Sequence, residues 1–226
     1  MMPDLPAVEA AIVEMTNAFR GRHERAALRR NPVLDRVARS YAAYLARTRT
    51  FSHTADGRNA GQRAVAGGYK YCWIGENLAS HLDSRGFRTR QLARLSLEGW
   101  KNSPGHRRNL LQKLPTEIGV GVAKSAGEEK YLSVQVFGRP EALRFSFKVE
   151  NRTQLALSYT YGQKSHALPV RAIMTHTVCV PDTLDFRGNR LKSGKGGRAF
   201  SYTTQPNDVF VVKPAERGRF RVRGDV

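Results

Sequence analysis

Glu98-Gly99-Trp100-Lys101-Asn102-Ser103-Pro104-Gly105-His106-Arg107-Arg108-Asn109-Leu110-Leu111 is the stretch on which the reading of this chain turns. Leu92, Leu95 and Trp100 recur at helical spacing, which predicts a helix over Phe87–Lys101. Asn102 to Gly105 supplies an abrupt stop, and His106 to Leu111 has room for one or two further turns. A glutamate near a helix end and a histidine just past a chain reversal thus lie within nine positions of each other. Glu98 is badly placed for its own helix, because the C-terminal end of the macrodipole disfavours negative charge. An imidazole or a metal ion is the expected compensation.

Upstream, Val8, Ala11, Ile12, Met15 and Phe19 predict a helix over Leu5–Arg20, and His23 to Arg30 reads as a polar connection. Asn31-Pro32 is an N-cap with proline in the first turn. It opens a broad apolar stripe from Val33 to Leu45, off which Arg36, Arg39, Arg47 and Arg49 fall as solvated positions. Phe51-Ser52-His53-Thr54 begins a polar break that runs to Arg58. A short helix then covers Asn59–Ala66 and ends at Gly67-Gly68. Tyr71 to Ile74 reads as a short strand interrupted by Gly75-Glu76-Asn77, with Gly75 permitting an unusual backbone course beside Glu76.

Downstream, Glu117-Ile118-Gly119-Val120-Gly121-Val122-Ala123 alternates branched residues with small ones, the pattern of a strand with one face closely covered. Tyr131 to Phe137 is its partner, across a turn at Ser125 to Glu129. Helices clustered around a few strands indicate an α+β layered fold. Gly138-Arg139-Pro140 reads as a boundary, giving domains at 1–140 and 141–226. Beyond it the periodicity is that of strands: Phe145, Phe147 and Val149; Leu155, Leu157 and Tyr159; Ala172 to Val180; Val209 to Val212; Phe220 and Val222. Gly162, Gly188-Asn189 and Gly194 to Gly197 fit turns. The expectation is a small all-β domain, a sandwich or partly open barrel, with no motif of recognisable chemistry.

Four blocks in order, Phe51-Ser52-His53-Thr54, Gly75-Glu76-Asn77-Leu78-Ala79, Glu98 to Leu111, and Thr116 to Ala123 with Val134 to Gly138, resemble the CAP superfamily. This superfamily, also called SCP-like, takes in cysteine-rich secretory proteins, antigen 5 and class 1 pathogenesis-related proteins. The resemblance covers about residues 8–138. It implies a three-layer α-β-α sandwich around an antiparallel sheet, and a cleft with two His and two Glu, matching His53, His106, Glu76 and Glu98. It also implies that the two histidines are able to hold a divalent metal, often zinc. One departure is plain: secreted animal and plant members carry several disulfides in this domain, whereas only Cys72 is present here.

Two readings of the cleft follow. In the first, the protein is a secreted or envelope-associated binding module that holds a divalent ion and a small or lipid-like ligand. In the second, it is a metal-assisted hydrolase: His53 and His106 bind the ion, Glu98 is the general base, and Glu76 orients a histidine. The first is preferred, since the chain has no nucleophile elbow, His-Glu-x-x-His, P-loop or dinucleotide fingerprint.

Composition narrows the partners. The chain has 226 residues, with 38 Lys and Arg against 19 Asp and Glu, for a net charge of +19. Residues 1–140 hold 23 basic and 12 acidic side chains and residues 141–226 hold 15 and 7, so both parts are basic. An unidentified protein or an acidic envelope polymer is the expected partner. With no run of five basic residues, nucleic acid is not. No stretch approaches the roughly 20 apolar residues of a membrane span, and Met1-Met2-Pro3-Asp4-Leu5-Pro6 lacks a signal peptide's charged start and apolar core. An extracellular or periplasmic location with the export segment removed is expected, with the cytoplasm as the alternative. Cys72 and Cys179, 107 positions apart, leave two options open: a pair of buried thiols, or a disulfide suited to an oxidising compartment.

Overall fold

The structure is a computed structural model that describes residues 2–186, 200–215 and 219–225. The chain divides into two compact units, Met1–Ala142 and Leu143–Val226.

The first unit is an α+β sandwich. Its helices are α1 (Leu5–Gly21), α2 (Pro32–Thr48), α3 (Ala60–Ala66), α4 (Thr89–Asn102) and α5 (Pro104–Leu110). Its strands are β1 (Arg29–Arg30), β2 (Tyr71–Leu82), β3 (Glu117–Lys124) and β4 (Lys130–Pro140), in the order β1-β3-β4-β2. β2, β3 and β4 pair antiparallel, while β1 runs parallel to β3 through Arg29↔Glu117 and Arg30↔Ile118. The end of the expected polar connection therefore pairs with the sheet. The Asn31 side chain does cap α2, accepting from the Val33 and Leu34 amides.

Strand alternation sorts the sheet's side chains into two cores. Ile118, Val120, Val122, Tyr131 and Phe137 pack with Val8, Ile12, Phe19, Leu92 and Trp100 of α1 and α4. Leu132, Val134 and Val136 face the other way, onto Leu34, Ala38, Tyr41, Ala42 and Leu45 of α2. Between these, Gly119 and Gly121 present no side chain to α2. A Cβ at Gly121 would lie 2.1 Å from the Arg39 backbone nitrogen, and one at Gly119 would lie 2.2 Å from the Leu34 carbonyl carbon. The helix rests on the strand backbone itself. Arg39, expected to be merely solvated, forks onto the buried Glu9 carboxylate.

Two expectations need correction. β2 does not stop at Ile74: it continues through Gly75-Glu76-Asn77 to Leu82, in register with β4 (Glu76↔Val136, Asn77↔Gln135). Gly75 has no special backbone angle. It makes room for the Trp73 ring, which lies 2.5 Å from where a Cβ would stand. Gly138-Arg139-Pro140 ends β4, and the division between the units falls two residues beyond it, after Ala142.

In the second unit every described element except the short 3-10 turn at Glu141–Leu143, on its border, is a strand: β5 (Phe145–Asn151), β6 (Leu157–Tyr161), β7 (Lys164–Leu168), β8 (Ile173–Val178), β9 (Thr183–Phe186), β10 (Phe200–Thr203), β11 (Val209–Ala215) and β12 (Arg219–Asp225). They form two four-stranded sheets, β10-β9-β6-β7 and β12-β11-β5-β8. Both contribute to one core containing Phe147, Val149, Tyr159, Leu184, Phe186, Phe210 and Val212. β7, β9 and β10 were not anticipated, because their short lengths hide the alternation. Leu155 falls before β6 rather than within it. The turns expected at Gly188-Asn189 and Gly194 to Gly197 lie outside the described residues.

Neither Cys72 nor Cys179 is a free thiol. Among the described residues no helix is long and apolar enough to cross a membrane.

Candidate functional site

β2 is an edge strand, and the site forms along it. Adjacent residues of a strand point to opposite faces, so Glu76 and Asn77 recruit different helices.

Glu76 is buried on the α2/α3 side. Its Oε1 lies 2.7 Å from His53 Nδ1, and its Oε2 accepts from Arg63 at 2.7 Å. Arg63, on α3, also donates to the His53 carbonyl at 3.0 Å, to Asp56 Oδ1 at 2.8 Å and to the Arg58 carbonyl at 2.6 Å. Its guanidinium carbon stands 3.4 Å from the centroid of the Tyr41 ring. The Tyr41 hydroxyl donates to the Ser52 carbonyl and accepts from the Ala55 amide, while Tyr44 donates to the Ala55 carbonyl. The polar break 52–58 is thus held at several points, although half of the His53 side chain (53%) remains open to solvent. α3 is itself fixed at its start by a reciprocal cap between Asn59 and Gln62.

Asn77 turns to the other face. A chain of side-chain hydrogen bonds runs from Asn109 to the buried Asn77, Gln135 and Thr16, at 3.0, 3.1 and 2.9 Å. Asn109 also donates to the Glu76 carbonyl, and Asn77 to the carbonyl of His106. These bonds pin α5 against β2. At the helix's far end, Arg20 and Arg25 of the α1 region take the carbonyls of Leu110, Leu111 and Gln112. Around the sheet edge, α5 from one face and the His53 segment from the other meet: the two imidazole centroids are 6.3 Å apart, tilted by 55°. Burial, and then the neighbouring His53, pushes the His106 imidazole below its usual pKa, which favours the neutral form with a free nitrogen lone pair.

Glu98 does not join this cluster through any hydrogen bond. Both its oxygens accept from Lys101, at 2.8 and 2.9 Å, and its side chain is 48% exposed. The compensation expected from a histidine or metal comes from a lysine one turn on, at the helix end where a cation is favoured.

Among the described residues no group of three or more His, Cys, Asp or Glu has metal-holding geometry. The donor set suits a weaker, open site. Zn–N bonds of 2.0–2.1 Å put two imidazoles on one tetrahedral ion with centroids roughly 5–6 Å apart, close to the separation here. Glu76 engages Nδ1 of His53, so Nε2 is the nitrogen of that ring left for a ligand, the usual carboxylate–histidine arrangement. A hollow of about 330 Å³ adjoins His53 and Glu76, lined also by Asn59, Gly61, Tyr71 and Ile74 among others.

The family model for the cysteine-rich secretory protein family, CAP, matches residues 13–137. This chain belongs to the CAP family. Similar solved structures include an extracellular protein containing an SCP domain from Bacillus anthracis, 28% identical, covering 60% of this chain and 41% of that one with a TM-score of 0.49. An outer surface protein from Borrelia burgdorferi is 23% identical over 57% of this chain and 90% of its own, at 0.49. A cysteine-rich secretory protein from Staphylococcus aureus is 22% identical over 60% and 39%, at 0.44. The chain spans about two-fifths of the Bacillus anthracis protein. No curated protein matches it.

The CAP cleft owes its shape to residues that sequence reasoning passed over. Arg63, Tyr41, Asn109 and Gln135 orient the histidines without belonging to any chemical motif. Of these, Asn109 and Gln135 lay inside the family-like blocks, three residues after His106 and within the β4 block. Arg63 had as its sole signal a place in the short helix after the His53 segment.

Proposed function

We propose that the protein is an exported CAP binding module whose cleft holds one divalent cation, zinc being the best match, between His53 and His106. The observation that carries this reading is the Glu76–His53 bond beside a second, neutral-leaning imidazole. When bound, the ion supplies a positive Lewis-acidic point that attracts an electron-rich group of a ligand. His53 and His106 are the residues that would hold it, Glu76 fixes the first ring, and Asn77 with Asn109 hold the second in reach. The hollow of about 330 Å³ beside His53 and Glu76 is the place for the small or lipid-like ligand. The excess of basic side chains supports an acidic envelope polymer or protein as the larger partner. Two cysteines that are not free thiols support an oxidising, extracytoplasmic location, in keeping with the secretory family.

Both carboxylates that the hydrolase alternative would use are already engaged. Glu76 has both oxygens committed to His53 and Arg63, and Glu98 is bonded to Lys101. Calorimetric titration of the full chain with zinc tests the proposal. One-to-one binding is expected, weakened at least tenfold in both His53→Ala and His106→Ala. Binding that survives both substitutions, or none at millimolar zinc, overturns it. Turnover of a peptide or ester that disappears in Glu98→Gln overturns the non-enzymatic part.

A further inference from the structure

A second hollow, of about 430 Å³, opens between α2 and the segment that leads into α3. Arg36, Tyr41, Tyr44, Asp56, Arg58 and Arg63 are among the residues that line it. Its volume lies within the range of small-molecule sites, and it does not share His53, His106 or Glu76.

The charges in this hollow are unbalanced. Asp56 is the one carboxylate in its lining, and it is already used: Oδ1 accepts from Arg63 at 2.8 Å and from the Arg58 backbone amide at 3.2 Å. Arg63 in turn divides its charge between Asp56 and Glu76. That leaves the guanidinium groups of Arg36 and Arg58, on facing segments of chain, with no ion-pair or hydrogen-bond partner among the described residues. Both residues are exposed, so each keeps its hydration and carries no strain while it waits. A third donor is incomplete in a different way. Arg63 is buried, and its Nε has no acceptor among the described residues. An unmet buried donor is costly.

The rest of the wall is aromatic. Tyr41 and Tyr44 lie with ring centroids 6.3 Å apart and planes within 13° of parallel. Arg63 covers the buried Tyr41 ring and Arg47 stands 5.5 Å from the Tyr44 centroid, so the half-buried Tyr44 is the ring with surface left for a ligand. Two unpaired guanidinium groups match a dianion better than a monoanion, and their forked donors suit tetrahedral oxyanions. The hollow is far larger than a bare phosphate, whose remaining space would face tyrosine.

We propose that this hollow binds a small aryl phosphomonoester, with the phosphate held by Arg36 and Arg58 and the ring laid against Tyr44. The site is separate from the cleft and stands whether or not the cleft binds metal.

Phenyl phosphate is the probe, titrated calorimetrically into the chelator-treated full chain at low salt. Inorganic phosphate and phenol serve as half-ligands. One-to-one binding of phenyl phosphate is expected, with inorganic phosphate weaker by roughly tenfold and phenol weaker still. Loss of one charge-assisted grip costs roughly tenfold, so Arg36→Ala/Arg58→Ala should lose on the order of a hundredfold. Both side chains are exposed, and the melting temperature should not change in that variant. Absence of phenyl phosphate binding overturns the proposal, as does unaltered affinity in the double variant. Binding that is lost in His53→Ala/His106→Ala but kept in Arg36→Ala/Arg58→Ala assigns the ligand to the cleft and equally overturns it.

Discussion

Replacing Arg63 by methionine tests the logic of the cleft most directly. The arginine side chain is 6% exposed and that of its partner Glu76 is 3% exposed. Methionine keeps much of the length over Tyr41 but removes four hydrogen bonds, to Glu76, Asp56 and the carbonyls of His53 and Arg58. Glu76 is then a buried carboxylate with only His53 beside it. Removing one member of a buried ion pair typically costs about 3–5 kcal/mol, because the other charge stays desolvated. For a unit of this size that corresponds to a fall of roughly 10–20 °C in melting temperature. Both tryptophans, Trp73 and Trp100, lie in the first unit, so intrinsic fluorescence during urea or thermal unfolding reports that unit alone. Adding Glu76→Gln to Arg63→Met removes the stranded charge and should recover about 1 kcal/mol or more of the loss. A destabilisation below about 1 kcal/mol, or no coupling between the two positions, would refute the claim that Arg63 holds the His53 segment and Glu76 together.

Two further outcomes follow from packing and burial. Gly121→Ala places a methyl group 2.1 Å from the Arg39 amide nitrogen, which α2 cannot yield without leaving the sheet, so a loss of at least about 1–3 kcal/mol is expected in the same fluorescence assay; unchanged stability would show that the helix does not rest there. The His106 imidazole is held below its usual pKa in the folded state by burial and then by His53, whereas in the unfolded chain it titrates near 6.5. The unfolded chain therefore takes up the proton first as pH falls, and the stability present above about pH 6.5 declines below it. With chelator present, the loss between pH 7.5 and 5.5 should be smaller in His106→Gln than in the parent, and an equal or larger loss contradicts the assignment.

How far the sequence could be read depended on the range of the interaction. The α2 cap at Asn31-Pro32 is local, and it was legible because donor and acceptor lie within three positions, whereas Asn59, read as the first residue of α3, is its cap. The β3 glycines announced a closely covered face, since only a missing side chain permits it. Gly75 misled, because glycine allows both unusual angles and close packing, and a ring two residues away decided which. Glu98 misled for a related reason: its helix-end position correctly called for a cation, but nothing local said that Lys101 would supply it.

By itself, the sequence determined the alternation and periodicity of the first unit, its family, and the four polar residues worth examining, because these reside in residue type and spacing. Tertiary structure alone decided that His53 and His106 meet around the edge of β2 while Glu98 turns to its own helix. It also decided that Arg63 and the Asn109–Asn77–Gln135 chain would hold them there. Those contacts join segments tens of residues apart, and their strength comes from burial, which no stretch of sequence carries until the sheet and helices have excluded water from it.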